Sequence, residues 1–539
     1  LHDGRADDAS RLALSRVAAS LGEMELAASA VESLSHGTTG ESALARHALA
    51  VAWLRTPGRE EHGARAYFDA VDRMTPAVAS LLFEDLRLIA RESERERWQA
   101  LDHAARRAWL HDFWDLRAAL SGVAVHERIA EHYRRLAAAS DRYPRRIRWG
   151  APPRNALLLQ RLDAPFDDRG VILVRHGEPL EVIRTLDPNL VQNESWVYAG
   201  LDGRDRMFHF ANYGSVIRSG RAGDGDGYAE WLLVYNVLCG GTYAADREGR
   251  DPRFSSLARR CDEAERRTRS AEIRRDAYEA LRTNTDPPDF TRDLPFTYSF
   301  YSFRAPGGRT ELAAAIDRPR TPEDTVLVAL DASFILVDTA DAVVVRRDTT
   351  LHAKTTAASH DAAGVVSLQV LPTTAAVHRI VLRDASDAGH GRFAGGPIVL
   401  PDYTGTDLML SDIVLAAPDT GGPWRRGDHH LRPSDEFESG DLHVYYEVYN
   451  VAAGERHRTE LIVERTSGGI RRALGRLFGR AAPIRLSFEE QATTSADGTL
   501  HELRRLRAPL YPGEYRLRIR VSTPARNQTA RKETLFTVR

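Results

Sequence analysis

The residues best equipped for chemistry stand at Arg175-His176-Gly177-Glu178-Pro179, directly after the apolar run Val171-Ile172-Leu173-Val174. An imidazole at the end of a buried strand can accept a phosphoryl group. Arg175 would grip the phosphate oxygens through its forked guanidinium, and Gly177 would let the backbone approach. Glu178 would be the carboxylic acid that protonates the leaving group. The same reaction needs a second histidine and a second arginine, and the later His390-Gly391 stands in a glycine-rich stretch far along the chain. The first reading of Arg175 and His176 is therefore structural, and catalysis through them is the alternative.

Other candidates are thinner. His126 and His132 are six residues apart on a helical stretch, whereas a zinc helix needs histidines at i and i+4 on one face. No metal is expected there. Two cysteines, Cys239 and Cys261, are too few for a zinc site. They would form a disulfide in an exported chain or remain as two buried thiols. Asp224-Gly225-Asp226-Gly227 lacks the later ligands of a calcium loop and reads as a hairpin tip. Arg471, Arg472, Arg476 and Arg480 lie in an acid-free segment with apolar residues at helical spacing. That pattern suits contact with an acidic partner or, peripherally, an anionic membrane, or an arginine-stemmed loop with no partner. No cofactor is expected.

Composition narrows the function class. A length of 539 residues corresponds to about three to five domains. Lys+Arg of 74 against Asp+Glu of 76 excludes nucleic-acid binding through bulk charge. Lys354 and Lys532 are the only lysines, and the arginines are spread evenly and matched by acids. No run of 18 apolar residues exists, so no transmembrane helix is expected. The chain begins with Leu1, as it would after removal of a signal peptide.

Elements that could position these residues follow from periodicity. Asp8–Leu21, Glu23–Leu34, Ser42–Leu54 and Glu60–Met74 carry apolar residues at helical spacing, in two pairs just under 40 residues apart. The pairs resemble tetratricopeptide-like hairpins. Trp98–Leu120 and His126–Tyr143 predict two further helices, and residues 254–283 another. Val171–Val174, Trp196–Tyr198, Met207–Phe210 and Trp231–Leu238 predict strands, with a turn at Asp202-Gly203. From Phe296 onward the pattern is β, with strands at Val326–Leu330, Phe334–Val337, Val343–Arg346, Val365–Leu371 and His378–Leu382. Gly395–Thr406 reads as a linker. Leu442, Val444, Tyr446 and Val448 share a face, as do Tyr515, Leu517, Ile519 and Val521, the latter alternating with arginines.

Val171–Glu178 resembles the opening of the histidine phosphatase superfamily, which implies a parallel sheet with alternating helices that the downstream pattern lacks. The order of segments resembles GWxTD-domain bacterial proteins of unassigned function. The likeness rests on Phe113-Trp114-Asp115-Leu116-Arg117, Glu131-His132-Tyr133-Arg134-Arg135-Leu136, Asp168-Arg169-Gly170-Val171-Ile172, Gly177-Glu178-Pro179 and Glu194-Ser195-Trp196-Val197-Tyr198. It continues at Phe303-Arg304, Gly308-Arg309-Thr310-Glu311, Tyr445-Tyr446-Glu447-Val448-Tyr449 and Tyr511-Pro512-Gly513-Glu514-Tyr515, covering about 95 to 539. The name-giving motif would fall at Ala164-Pro165-Phe166-Asp167-Asp168, where only Asp168 agrees. The resemblance implies export and carries over no catalytic residue.

The expected architecture is multidomain α+β. A helical region spans 1–145, a small α+β module 146–290, and antiparallel β-sandwiches 291–400 and 401–539. The expected function is that of a non-catalytic scaffold or accessory subunit of a cell-envelope or extracellular assembly, acting through protein–protein contacts. A His176 phosphohydrolase is one alternative. Surface-polymer or carbohydrate binding by the sandwiches, through aromatics such as Tyr445 and Tyr449, is another.

Overall fold

The computed structural model describes residues 7–37, 40–145, 164–186, 192–198, 206–212, 231–233, 249, 290–318, 328–338, 344–353, 361–417, 422, 424–466, 483–494 and 498–539. The chain divides into two compact units, Leu1–Pro288 and Asp289–Arg539. Helices dominate the first and antiparallel-rich sheets the second, so the protein is a multidomain α+β chain. No helix among the described residues is long and apolar enough to cross a membrane.

The described helices of the first unit are α1 (Asp8–Ser20), α2 (Met24–Ser35), α3 (Gly40–Leu54), α4 (Glu60–Asp72), α5 (Pro76–Leu86), α6 (Glu92–Ala100), α7 (His103–Ser121), α8 (Val125–Arg142) and α9 (Asp168–His176). Side-chain caps open several of them. Asp7 accepts the Ser10 amide at 2.7 Å ahead of α1, and Asp102 accepts that of Ala105 at 2.8 Å ahead of α7. Each such cap satisfies an amide the helix leaves over and is worth ~1 kcal/mol. The Asp102 cap also divides Trp98–Leu120, expected as one helix, into the end of α6 and most of α7. Pro76–Leu86, unassigned by periodicity, becomes α5 behind the Thr75 cap with proline in its first turn. Gly63 lets α4 lie tight against α3, because a Cβ there would stand 2.6 Å from Leu54 N.

Val171–Val174 corrects the expectation of a strand: it is the middle of α9. Asp167 caps the first turn by accepting the Arg169 amide at 2.9 Å, and Gly177 ends the helix at φ +78°. Eight of the nine helix residues are buried. A helix covered on every side loses the polar stripe that distinguishes it from a buried strand. It packs on a four-stranded antiparallel sheet, β1 (Glu181–Ile183), β2 (Asn193–Tyr198), β3 (Arg206–Asn212) and β4 (Trp231–Leu233), in sequential order. Val171–Val174, Trp196, Phe210 and Leu233 belong to one apolar core with Tyr67, Trp114 and Tyr133 of the helices. The helix expected over 254–283 lies outside the described residues.

The second unit begins with β5 (Arg292–Asp293), β6 (Thr297–Ala305), β7 (Arg309–Arg318), β8 (Val328–Asp338), β9 (Val344–Ala353), β10 (Asp361–Val370), β11 (Thr373–Asp384) and β12 (Asp387–Leu400). They form sheets β10-β7-β6 and β5-β12-β11-β8-β9 around a common core that includes Leu312, Phe334 and Ile380. Two corrections arise here. Val328–Asp338 is one strand rather than two, because Asp331 and Ser333 bond across to Thr350 and Asp348 while Leu330, Ala332, Phe334 and Leu336 join the core. Gly395–Leu400 is not linker but the end of β12. It pairs with β11, and a Cβ at Gly395 would meet Arg379 at 2.8 Å.

The chain continues through β13 (Met409–Leu410), β14 (Val414–Ala416), β15 (Trp424–Arg426), β16 (His429–Leu431), β17 (Glu436–Phe437), β18 (Asp441–Tyr449), β19 (Arg456–Arg465), β20 (Ile484–Gln491), β21 (Thr499–Arg507), β22 (Gly513–Thr523) and β23 (Gln528–Val538). Strand β18 pairs with β13, β14 and β21, facing the sheet β17-β23-β22-β19-β20. Leu442, Val444, Tyr446 and Val448 enter that shared core together with Leu517, Ile519 and Val521. The opposite face of β18 is also covered. Tyr445 packs with Tyr301 and Phe303 of β6, Ala313 of β7 and Trp424 of β15 in a third core. Strands β6 and β18 therefore carry side chains into cores on both faces.

Candidate functional site

The Arg175-His176-Gly177 segment sits at the end of α9, in a closed setting. His176 is 3 % exposed, with its ring 5.0 Å from Phe208 and 5.6 Å from Tyr198. The Tyr198 hydroxyl donates to the Gly177 carbonyl at 3.0 Å, and Arg135 donates to that of Arg175 at 3.2 Å. Positive φ calls for glycine at 177, and a Cβ there would also stand 2.6 Å from the end of the Arg135 side chain. Burial, with Arg95 and Arg117 nearby, pushes the Arg175 guanidinium down to about 9. Glu178 is exposed and pairs with Arg142. The three candidate residues thus split between a buried pair and a surface carboxylate.

The stretch matching the GWxTD position has definite work. Phe166 is buried against Gly170, where a Cβ would come within 2.5 Å of its ring. Asp167 caps α9, and Asp168 accepts the Leu233 amide at 2.7 Å, fastening β4 to the helix. Arg169 bonds Asp167 at 2.8 Å and lies over the rings of Tyr143 and Trp231 at 4.7 and 4.2 Å. This one short segment ties the helices to the sheet.

His132 is buried on α8, its Nε2 2.9 Å from the Asp85 carbonyl, and burial followed by the Arg128 charge pushes it down to about 3. His126 lies beside Phe68 and Asp72 on another surface. Tyr445 and Tyr449 are fully buried. Cys239, Cys261, Asp224–Gly227, and Arg471, Arg472, Arg476 and Arg480 lie outside the described residues.

Sequence reasoning missed a groove of about 830 Å³ between α1, α3, α5 and α8. Leu44, Val51, Leu81 and Leu136 line it, and Leu21 stands on its rim at 72 % exposure. Its polar anchor is built from three helices. Asp85 Oδ2 accepts the Tyr133 hydroxyl at 2.7 Å and lies 3.0 Å from His47 Nε2. Burial, followed by the Asp85 charge, holds the Tyr133 hydroxyl well above its usual range. The Asp85 side chain stays 25 % exposed, so a donor entering the groove can reach it. Residues 47, 85 and 133 carry no linear spacing that signals this, and Asp85 belongs to the helix that periodicity left unassigned.

No protein-family model matches the chain, and no curated protein matches it in sequence. Solved structures show only remote similarity. A red sea bream transglutaminase is 11% identical over 50% of this chain and 34% of its own, at a TM-score of 0.14. A Bacteroides uniformis beta-glucuronidase is 9% identical over 43% of this chain and 26% of its own, at 0.19. A DUF4785 family protein from Legionella pneumophila is 10% identical over 43% of this chain and 52% of its own, at 0.15. The chain spans about a third of the transglutaminase and half of the Legionella protein. Similarities at such scores carry no functional argument.

Proposed function

We propose that the chain is an exported, GWxTD-like scaffold or accessory subunit of a cell-envelope assembly, working through protein–protein contacts rather than catalysis. In this reading the first helices are tetratricopeptide-like hairpins, and the second unit is a pair of β-sandwiches. The observation that carries it is the groove between α1, α3, α5 and α8: open, lined by Leu44, Val51, Leu81 and Leu136 among polar side chains, and anchored by Asp85. Its occupant is an amphipathic helix of another envelope protein. Apolar side chains from one face of that helix fill the space beside Leu44, Val51, Leu81 and Leu136, and one donor reaches Asp85. The closed surroundings of His176 favour a framework role for that residue.

Ala137→Trp fills the groove without removing any of the anchor's hydrogen bonds. In crosslinked native envelope extracts, partner recovery is expected to fall at least about tenfold relative to the unmodified chain, a loss of ~1.4 kcal/mol. Equal recovery with both chains, or a wild-type chain that stays monomeric and partnerless, would overturn the reading.

A further inference from the structure

A second cluster lies in the other unit, where edge strand β20 comes near β21. His457 on β19 stands directly across from Glu490 on β20. Glu502 on β21 comes from the facing sheet, where its own cross-strand partner is Tyr446. One imidazole nitrogen and two carboxylate oxygens fall within 4.8 Å of one another. Bonds of about 2.0–2.2 Å to a common tetrahedral ion place donor atoms roughly 3.3–3.6 Å apart, so small side-chain rotations would bring these three onto one cation.

A second observation sets the cluster apart from an ordinary ion-pair network. His457 is 2 % exposed, yet its Nδ1 makes no hydrogen bond among the described residues. Its Nε2 is 3.7 Å from Glu502 Oε1, beyond hydrogen-bond reach. A buried imidazole with neither nitrogen bonded costs free energy, and a cation on Nε2, the nitrogen that faces Glu502, would supply one of the missing bonds. Arg504 is the cation already present. It donates to Glu490 Oε1 at 2.9 Å and also pairs with Glu490 Oε2 and Glu502 Oε2. One guanidinium against two carboxylates leaves a net negative charge, and it leaves Glu502 Oε1 on the His457 side. Hydrogen bonds from outside commonly orient metal-binding carboxylates in this manner.

We infer that His457, Glu490 and Glu502 form a binding site for a divalent transition cation, with Arg504 positioning the two carboxylates. One imidazole and two carboxylates make a mixed nitrogen and oxygen set suited to zinc or manganese. Three protein ligands leave a coordination position for water. Glu490, 42 % exposed at the edge of its sheet, is the entry side. Positions 457, 490 and 502 come together only through strand pairing and sheet stacking, which is why no ligand motif appears along the chain.

The test uses the tag-free full chain, stripped with a chelator and titrated with Zn²⁺ or Mn²⁺ in a calorimeter. Saturable binding near one equivalent is expected, with an accompanying rise in melting temperature. Glu490→Gln changes a half-exposed side chain, so the fold survives; its affinity is expected to fall at least about tenfold, taking the melting shift with it. His457→Gln, checked for folding by circular dichroism, should lose binding further. Absence of saturable binding would overturn the site and leave Arg504 as its only cation. Binding that is unchanged in Glu490→Gln would place the metal elsewhere and overturn it equally.

Discussion

Arg426→Met is expected to destabilise the second unit by about 3–5 kcal/mol, because it strands the buried carboxylate of Glu447 and the partly buried one of Glu311. Arg426 bonds Glu311 at 2.7 Å and Glu447 at 2.6 Å, and lies over the Phe303 ring at 3.9 Å. The trio lies against the third core, where β6 and β7 face β14 and β18, through the Phe303 ring and the Tyr445 hydroxyl. Glu447 is further held by the hydroxyls of Tyr445 and Tyr449, at 2.7 and 2.8 Å. Hydrogen exchange should show protection lost in β6, β7 and β18 together. Arg426→Met combined with Glu447→Gln should recover part of the loss, since fewer buried charges then lack partners. A single variant with unaltered protection would mean the cluster is solvated and unimportant.

The same carboxylate fixes an acid limit. Burial alone would raise Glu447, but the His501 hydrogen bond and the Arg426 charge outweigh it and lower the group from 4.5 to about 2. A carboxyl lower in the folded than in the unfolded state stabilises fully above the unfolded value. That contribution therefore disappears as pH falls from about 4.5 toward 2. In urea titrations across that window, Glu447→Gln should show a shallower loss of stability than the wild type.

Trp114→Ala should cost the first unit about 3–5 kcal/mol. Trp114 is fully buried, donates to the Tyr67 hydroxyl at 3.0 Å, and meets the rings of Tyr67, Phe113 and His132 at 6.1, 5.4 and 5.5 Å. Its removal leaves a cavity and takes the indole donor from Tyr67. Amides of α4, α7 and α8 should exchange faster. Because His132 and Tyr133 are neighbours on α8, the groove's anchor should loosen with them. Undiminished protection in α8 would contradict this packing account.

Much of the fold is legible in the sequence where one face meets water. Helices α1 to α4 and α8 follow their apolar stripes, and β22 alternates core residues with Arg516, Arg518 and Arg520. Legibility fails where both faces are covered. Buried α9 mimics a strand, and Tyr445 looks like a surface aromatic until the third core covers it. Glycines mislead in the same way: Gly395 and Gly396 suggest a linker but lie in β12. The groove's anchor and the Arg426 cluster join residues 47, 85 and 133, and residues 311, 426 and 447. Those separations follow from tertiary packing and leave no periodic trace.

The central claim is that the helical groove receives a partner's helix. It is tested most directly by a photo-crosslinking side chain placed at Ala48, inside the groove, with Glu96 on exposed α6 as the control. Irradiated in native envelope extracts, position 48 is expected to label a single segment of one protein, with apolar residues every three to four positions. Position 96 should not label it, and Ala137→Trp should abolish the adduct. No adduct at position 48, or the same mixture of peptides from both positions, would contradict the claim.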